Sequence, residues 1–365
     1  NALRENTTGS QNVSVGLNSL LNNTTGSCHT SIGRGALQSN TTGVCNTASG
    51  YKSLFCNTTG YRNTASGVYS LRENTTGCCN SAFGNTALLS NTSGCYNSAF
   101  GAYTLRENTT GQCNTASGFQ ALCSNTTGSQ NTSTGVNSLY NNTTGTSNTA
   151  YGYNTLFGNT TGTDNVAIGF KPLQCNTTGG YNTALGRCAG FNNQTGTNNV
   201  YIGSSSGHAS TGNSFNTAVG FSALEDNTAS CITAVGYCTL SNNTTGTGNT
   251  AMGFYAARCN TTGLYNTAVG LCSLYSNVSG CYNTAFGYTA ARVTTGNGNT
   301  ALGDRSMYTN STGTRNTASG RCTMFYNTTG SNNTASGFGA LKCNTTGCRN
   351  TATGQMSLMH NTTAS

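Results

Sequence analysis

Charge is what this chain has least of. Asp, Glu, Lys and Arg together make up 6% of its 365 residues, against roughly 25% in an ordinary globular domain. The net charge of +8 is spread thinly, without a run of basic residues, which excludes the clustered Lys and Arg of a nucleic-acid groove. There is one proline and no tryptophan. No stretch approaches the ~18 apolar residues of a membrane-spanning helix, and no signal peptide is visible. Seven acidic residues are too few and too scattered for a calcium cage. The three histidines, His29, His208 and His360, stand far apart. No carboxylate pair, nucleophile elbow or phosphate loop accompanies them, so neither catalysis nor a metal nor a cofactor is expected. The adjacent pairs Cys78-Cys79 and Cys28-His29 lack a second pair at zinc-site spacing.

What is there instead is glycine, asparagine, threonine and serine, in a strict period. Composition alone would suit a disordered low-complexity segment, but the period argues for a repeat fold. One unit reads Asn57-Thr58-Thr59-Gly60-Tyr61-Arg62-Asn63-Thr64-Ala65-Ser66-Gly67-Val68-Tyr69-Ser70-Leu71-Arg72-Glu73, and the next begins at Asn74, seventeen residues on. Slips come later. Ser210 replaces the starting Asn with its glycine displaced, the unit from Asn227 lacks one residue, and so does the unit from Asn277. The register recovers through Asn310, Asn327, Asn344 and Asn361.

Each column has its own rule. The eleventh residue is glycine in every complete unit, as at Gly16, Gly67, Gly118 and Gly203. The fourteenth is small and the fifteenth is mainly leucine, replaced by Met307 and Met324, or by Gly190, Gly207, Ala257 and Ala291. Seventeen residues are too few for a helical repeat, which needs about 33 or more. They suit one turn of a parallel β-solenoid, all-β, with about 21 coils and two short strands per coil. One strand is expected at Asn-Thr-Ala-x-Gly and one at the small-Leu segment, with Asn-Thr-Thr-Gly as the turn. The eleventh glycine marks either a bend or a close approach of the opposite wall. Residues 1–365 read as one continuous array that starts and ends mid-repeat without caps. A rise of ~4.8 Å per coil would make a rod roughly 100 Å long. Open solenoid ends imply end-to-end self-association or a longer chain.

Two signals carry the functional expectation. The first unit position supplies a sequon, Asn-x-Ser/Thr, in nearly every coil: Asn6, Asn23, Asn40, Asn57, Asn74, Asn91, Asn108, Asn125, Asn142, Asn159, Asn176, Asn193, Asn243, Asn260, Asn277, Asn310, Asn327, Asn344 and Asn361. The units at Ser210, Asn227 and Val293 are exceptions. Asn-Thr-Thr-Gly is also simply good turn chemistry. Read as sequons, these residues predict a column of covalent glycans on one exposed edge, with Asn46, Asn63 and Asn114 bare. The second signal is 18 cysteines with almost no metal-ligand partners. They predict disulfides and an oxidising compartment. Cys28 with Cys45 and Cys78 with Cys95 share a column one coil apart, and Cys322, Cys343 and Cys348 are further candidates, Cys343 and Cys348 bracketing one turn. Free buried thiols acting as small hydrophobes are the competing reading. An aromatic stripe at the twelfth position includes Phe119, Tyr153, Phe170, Phe221 and Phe254. It offers either a carbohydrate or subunit surface, or plain packing along a sheet.

The cores Asn46-Thr47-Ala48-Ser49-Gly50 and Asn182-Thr183-Ala184-Leu185-Gly186 resemble the head repeats of trimeric autotransporter adhesins, and similar repeats occur in tail fibres of phages and large viruses. The resemblance covers the whole chain and implies a left-handed parallel β-roll and a homotrimer. Those heads are poor in cysteine and their repeats are nearer fourteen residues, so this chain departs from them on both counts. A weaker likeness is to plant ice-binding β-rolls. The expected function is therefore a structural subunit of an extracellular, N-glycosylated filament or surface appendage. The alternative is a trimeric adhesin or viral tail-fibre shaft at a cell or virion surface, and an ice-binding face is a third possibility.

Overall fold

The computed structural model describes residues 2–365. It is an all-β parallel solenoid of 21 strands. Two compact units are distinguished, Asn1–Tyr181 and Asn182–Ser365. The first holds β1 (Val13–Val15) through β10 (Val166–Ile168), and the second β11 (Thr183–Leu185) through β21 (Thr351–Thr353). No helix among the described residues is long and apolar enough to cross a membrane.

Every strand is three residues long and occupies unit positions eight to ten. In β3 (Thr47–Ser49) and β4 (Thr64–Ser66) the pairing is Thr47 with Thr64, Ala48 with Ala65 and Ser49 with Ser66. A parallel, in-register stack repeats each side chain above its own kind, so one face is decided once for all coils. The middle residue points inward: Ala48, Ala65, Ala82 and Ala99 are fully buried. Leu37, Leu54, Leu71 and Leu88 of the fifteenth column are fully buried as well. Together they form the thin core, each buried leucine contributing about 1.5–3 kcal/mol.

The second expected strand is absent. The small-Leu segment forms inter-coil backbone hydrogen bonds, such as Leu54 N–H to the Ser70 carbonyl at 3.0 Å and Cys56 N–H to Arg72 at 2.9 Å. Yet its thirteenth and fifteenth residues are left-handed, as at Lys52 (φ 51°) and Leu54 (φ 50°). That conformation is outside the β region, so the segment is a tightly turned wall rather than a strand. Left-handed leucine costs roughly 1–2 kcal/mol, and here it is offset by burial and by the bonds on both sides.

The eleventh glycine is explained by its own column. Gly50 has φ 137°, which side chains rarely adopt. A Cβ there would fall 2.5 Å from the Gly67 carbonyl oxygen of the next coil. The crowding neighbour is thus the same residue one coil on, not the opposite wall. The late deletion also sits differently from the sequence reading. Thr294 occupies the first position of its coil, fully buried, and accepts from Asn310 Nδ2 through Oγ1 at 3.1 Å. The missing residue therefore falls in the turn after Thr294, not within the coil that starts at Asn277.

Candidate functional site

The repeated asparagines are the most numerous polar groups with defined partners, and they face inward. Asn23, Asn40, Asn57, Asn74, Asn91, Asn108, Asn125, Asn142, Asn159 and Asn176 are fully buried in the first unit. So are Asn193, Asn243, Asn260, Asn277, Asn310, Asn327 and Asn344 in the second. Asn6 and Asn361 are half-buried. The bonding repeats coil after coil. Asn57 Nδ2 donates to Asn40 Oδ1 at 2.8 Å and to the Gly60 carbonyl at 3.0 Å. Asn74 Nδ2 then donates to Asn57 Oδ1 at 2.8 Å. Both amide hydrogens and the amide oxygen are thereby satisfied, as a buried amide requires.

This overturns the expectation that the first asparagine is an exposed attachment point. An N-linked sugar replaces a hydrogen on Nδ2, the atom that makes both interior bonds. A glycan at Asn40, Asn57, Asn74, Asn91, Asn108 or Asn125 would take the place of one of these two bonds in this conformation, and the same holds for the other fully buried members. The bulk of a sugar has no room where Gly60 and the next amide already crowd the site. Asn6 Nδ2 makes the turn bond to Gly9 at 2.9 Å, and Asn361 Nδ2 donates to Asn344 Oδ1 at 3.2 Å and to the Ala364 carbonyl at 3.3 Å.

The seventh column is a second ladder. Asn63 accepts the neighbouring coil's Asn80 N–H on Oδ1 at 3.0 Å, and its own Nδ2 donates to the Gly77 carbonyl at 2.8 Å. Asn46, Asn63 and Asn114 are therefore also interior. His29 takes this column's place in its coil. Its Nε2 lies 2.8 Å from the Gly43 carbonyl and its Nδ1 accepts the Asn46 N–H at 3.2 Å. Burial lowers its pKa below the usual 6.5, against the raising effect of the Gly43 and Asn46 bonds. A neutral ring with hydrogen on Nε2 fits both contacts.

All eighteen cysteines stand as free thiols. Cys28, Cys45, Cys78 and Cys95, the expected bridge partners, are among these free thiols. Cys28 Sγ lies 3.1 Å from Gln11 Oε1, and Cys95 Sγ accepts the Cys78 N–H at 3.0 Å. Parallel backbones about 4.8 Å apart lie within the Cα range of a disulfide, and in this structure the Cys28 and Cys95 sulfurs are instead turned to hydrogen-bond partners. Cys348 Sγ accepts the Ser331 N–H at 3.3 Å, and Cys322 and Cys343 are half-buried thiols. Burial pushes the Cys95 thiol up to about 11. Burial and the neighbouring Glu73 do the same for Cys56. Protonated thiols of this kind are poor nucleophiles at neutral pH.

The aromatic stripe faces solvent. Phe119, Phe170, Phe221 and Phe254 are among the exposed large side chains, and rings stack along the column, Tyr153 on Phe170 at 5.4 Å and Tyr237 on Phe254 at 5.1 Å. The tenth column adds Phe83 on Phe100 at 5.2 Å. An open groove of about 400 Å³ lies among Tyr288, Arg292, Arg305, Tyr308 and Phe325. The Arg-Glu pairs are half-exposed, with Arg106 Nε 2.6 Å from Glu107. No group of three or more metal-ligating side chains occurs among the described residues.

One coil breaks the column rules in a way sequence reading missed. Tyr201 stands in the ninth column between Ala184 and Ala218, fully buried. Its ring lies over Gly207, the leucine position of the same coil. The signal was present: leucine lost to Gly207 while alanine became tyrosine six residues earlier. Burial pushes the Tyr201 hydroxyl up to about 12, with Ser210 and Asn216 facing it. Ser210 leaves the space that an asparagine would fill. No protein-family model matches this chain, and a search of curated proteins gives no significant match.

Proposed function

We propose that this chain is a non-enzymatic structural segment of an extracellular filament or surface appendage, held together by coil stacking and without N-linked sugar on its buried asparagines. The observation that carries this reading is the use of both asparagine columns as coil-to-coil bonds, as in Asn40–Asn57–Asn74. Amide ladders of this kind add strength along one direction. Electron microscopy of the purified chain tests the reading. It predicts thin filaments or copies joined end to end, and dispersed single particles at high concentration would count against it.

The exposed apolar columns support a second reading, a shaft in which chains pack side by side as in a trimeric adhesin or tail fibre. Phe83 and Phe100, both exposed, stack on neighbouring coils, as Tyr153 and Phe170 do, and exposed apolar pairs of this kind suit contact with another chain. Sedimentation equilibrium separates the two readings. A trimer at all concentrations favours the shaft, and open-ended growth favours the filament.

A further inference from the structure

The buried ladder accounts for asparagine at the first position, and it leaves the hydroxyl at the third without an explanation. In the turns that keep Asn at position one and Gly at position four, the third residue is always Thr or Ser: Thr8, Thr42, Thr59, Ser93, Thr195 and Ser279 are examples. Each of these is exposed. None donates or accepts through its hydroxyl among the described residues. The second position behaves in the opposite way. Thr58 Oγ1 donates to the Thr75 carbonyl at 3.1 Å, and Thr75 Oγ1 to Thr92 at 3.0 Å. Yet the second position drifts to Gln194, Val278 and Ser311.

So the column with a bonding duty tolerates replacement, and the column without one does not. Other exposed columns vary freely, the tenth running Ser49, Ser66, Phe83, Phe100, Ser117, Thr134, Tyr151. Nor does the ladder need the third hydroxyl. In Asn227-Thr228-Ala229 it is missing, and Asn243 Nδ2 still donates to Asn227 Oδ1 at 2.8 Å. A requirement that acts at the surface and not on the fold is the signature of recognition by something outside the chain.

We infer that the third-position hydroxyls form a column of O-glycosylation sites, modified by a separate glycosyltransferase using a nucleotide-activated sugar. The threonine Oγ attacks the anomeric carbon, and the new C–O bond forms as the bond to the nucleoside diphosphate breaks. The hydroxyl proton goes to the transferase's base. Attachment points recur about every 4.8 Å along a stack of coils, so sugars on neighbouring coils would lie against one another as a continuous face. This inference stands independently of the filament reading, since a chain that stays single could be decorated in the same way.

Glycopeptide mass spectrometry with electron-transfer fragmentation, on the chain purified from the organism that makes it, is the test. Expected are sugar masses on Thr59, Thr76 and Thr110, removed by alkaline β-elimination and not by an amidase specific for N-linked glycans, with Thr58, Thr75 and Thr109 bare. Unmodified third-position hydroxyls, or sugar on Asn57 and Asn74, would overturn it. A second measurement uses unglycosylated recombinant chain. Thr59→Val with Thr76→Val should leave the melting temperature unchanged, whereas Thr58→Val with Thr75→Val should lower it. Equal losses from both pairs would make the third hydroxyl a structural group and sink the inference.

Discussion

The coils from Asn40 to Asn125 and the coil from Asn193 to Ala209 solve the same packing problem differently. In the first set, a ninth-column alanine faces a fifteenth-column leucine, as Ala65 with Leu71, and an asparagine closes the corner. In the other coil tyrosine replaces alanine, glycine replaces leucine, and Ser210 replaces the next asparagine. The interior is filled while the alanine and leucine column rules are both broken, Asn193, Asn199 and Gly203 keeping theirs. The comparison teaches that what each coil must keep is a filled cross-section, and that the column pattern is only the commonest way of filling it.

Breaking that exchange should produce the largest effect. Tyr201→Ala leaves a void beside Gly207 and should cost about 3–5 kcal/mol, the range for emptying an aromatic site. Gly207→Leu alone should also destabilise, because the ring already occupies the space. The double variant restores the common pattern and should recover most of the loss. Leucine at φ 59° is no obstacle there, since Leu54 and Leu71 sit at φ 50°. Chemical denaturation of the four proteins checks this, and additive losses would refute the exchange.

A smaller effect is expected from the ladder in the regular coils. Asn74→Ala removes the donor to Asn57 and the acceptor for Asn91. Each buried group left unsatisfied costs about 1–3 kcal/mol. Asn227→Ala, in a coil already short of one residue, should cost less. Denaturation midpoints with unchanged slopes would establish the ranking.

The third effect is pH-dependent. His29 has its pKa lowered by burial, so the unfolded chain binds the extra proton first. Stability is then full above the unfolded pKa of about 6.5 and falls as the pH is lowered through and below it. His29→Asn restores the regular ladder and should flatten the melting temperature between pH 7 and 5 relative to the parent. The smallest effect is predicted for Arg106→Gln. Its pair with Glu107 is half-exposed, and such pairs contribute about 0–1 kcal/mol.

Much of the fold was legible because one period repeated so often. The seventeen-residue spacing, the invariant glycine and the leucine column together specify a parallel solenoid, and Ala65, Gly67 and Leu71 occupy the roles their columns suggested. The second strand was not legible, because left-handed leucine is a conformation that burial and neighbouring coils impose against local preference. The asparagines misled for a different reason. A sequon and an amide ladder demand the same residue at the same place, and sequence alone contains no term for which way the side chain of Asn57 points. The cysteines show a different limit: a shared column such as that of Cys78 and Cys95 establishes proximity, whereas the rotamer decides whether the sulfur meets a thiol or, as at Cys95, a backbone N–H.

The first asparagine column is also one-way. Asn57 donates to Asn40 and Asn74 donates to Asn57, and from Asn23 to Asn176 each amide points toward the lower-numbered coil. Amide dipoles aligned in this manner reinforce one another along the stack. The stack therefore has a donor sense and an acceptor sense, like an arrow. A second copy placed head to tail would continue that arrow, whereas one placed head to head would set donor against donor or acceptor against acceptor. Any assembly that extends the ladder is thereby directional, with two chemically different growing ends, and it belongs to the heterologous contacts that make open polymers rather than to the two-fold contacts that make closed dimers.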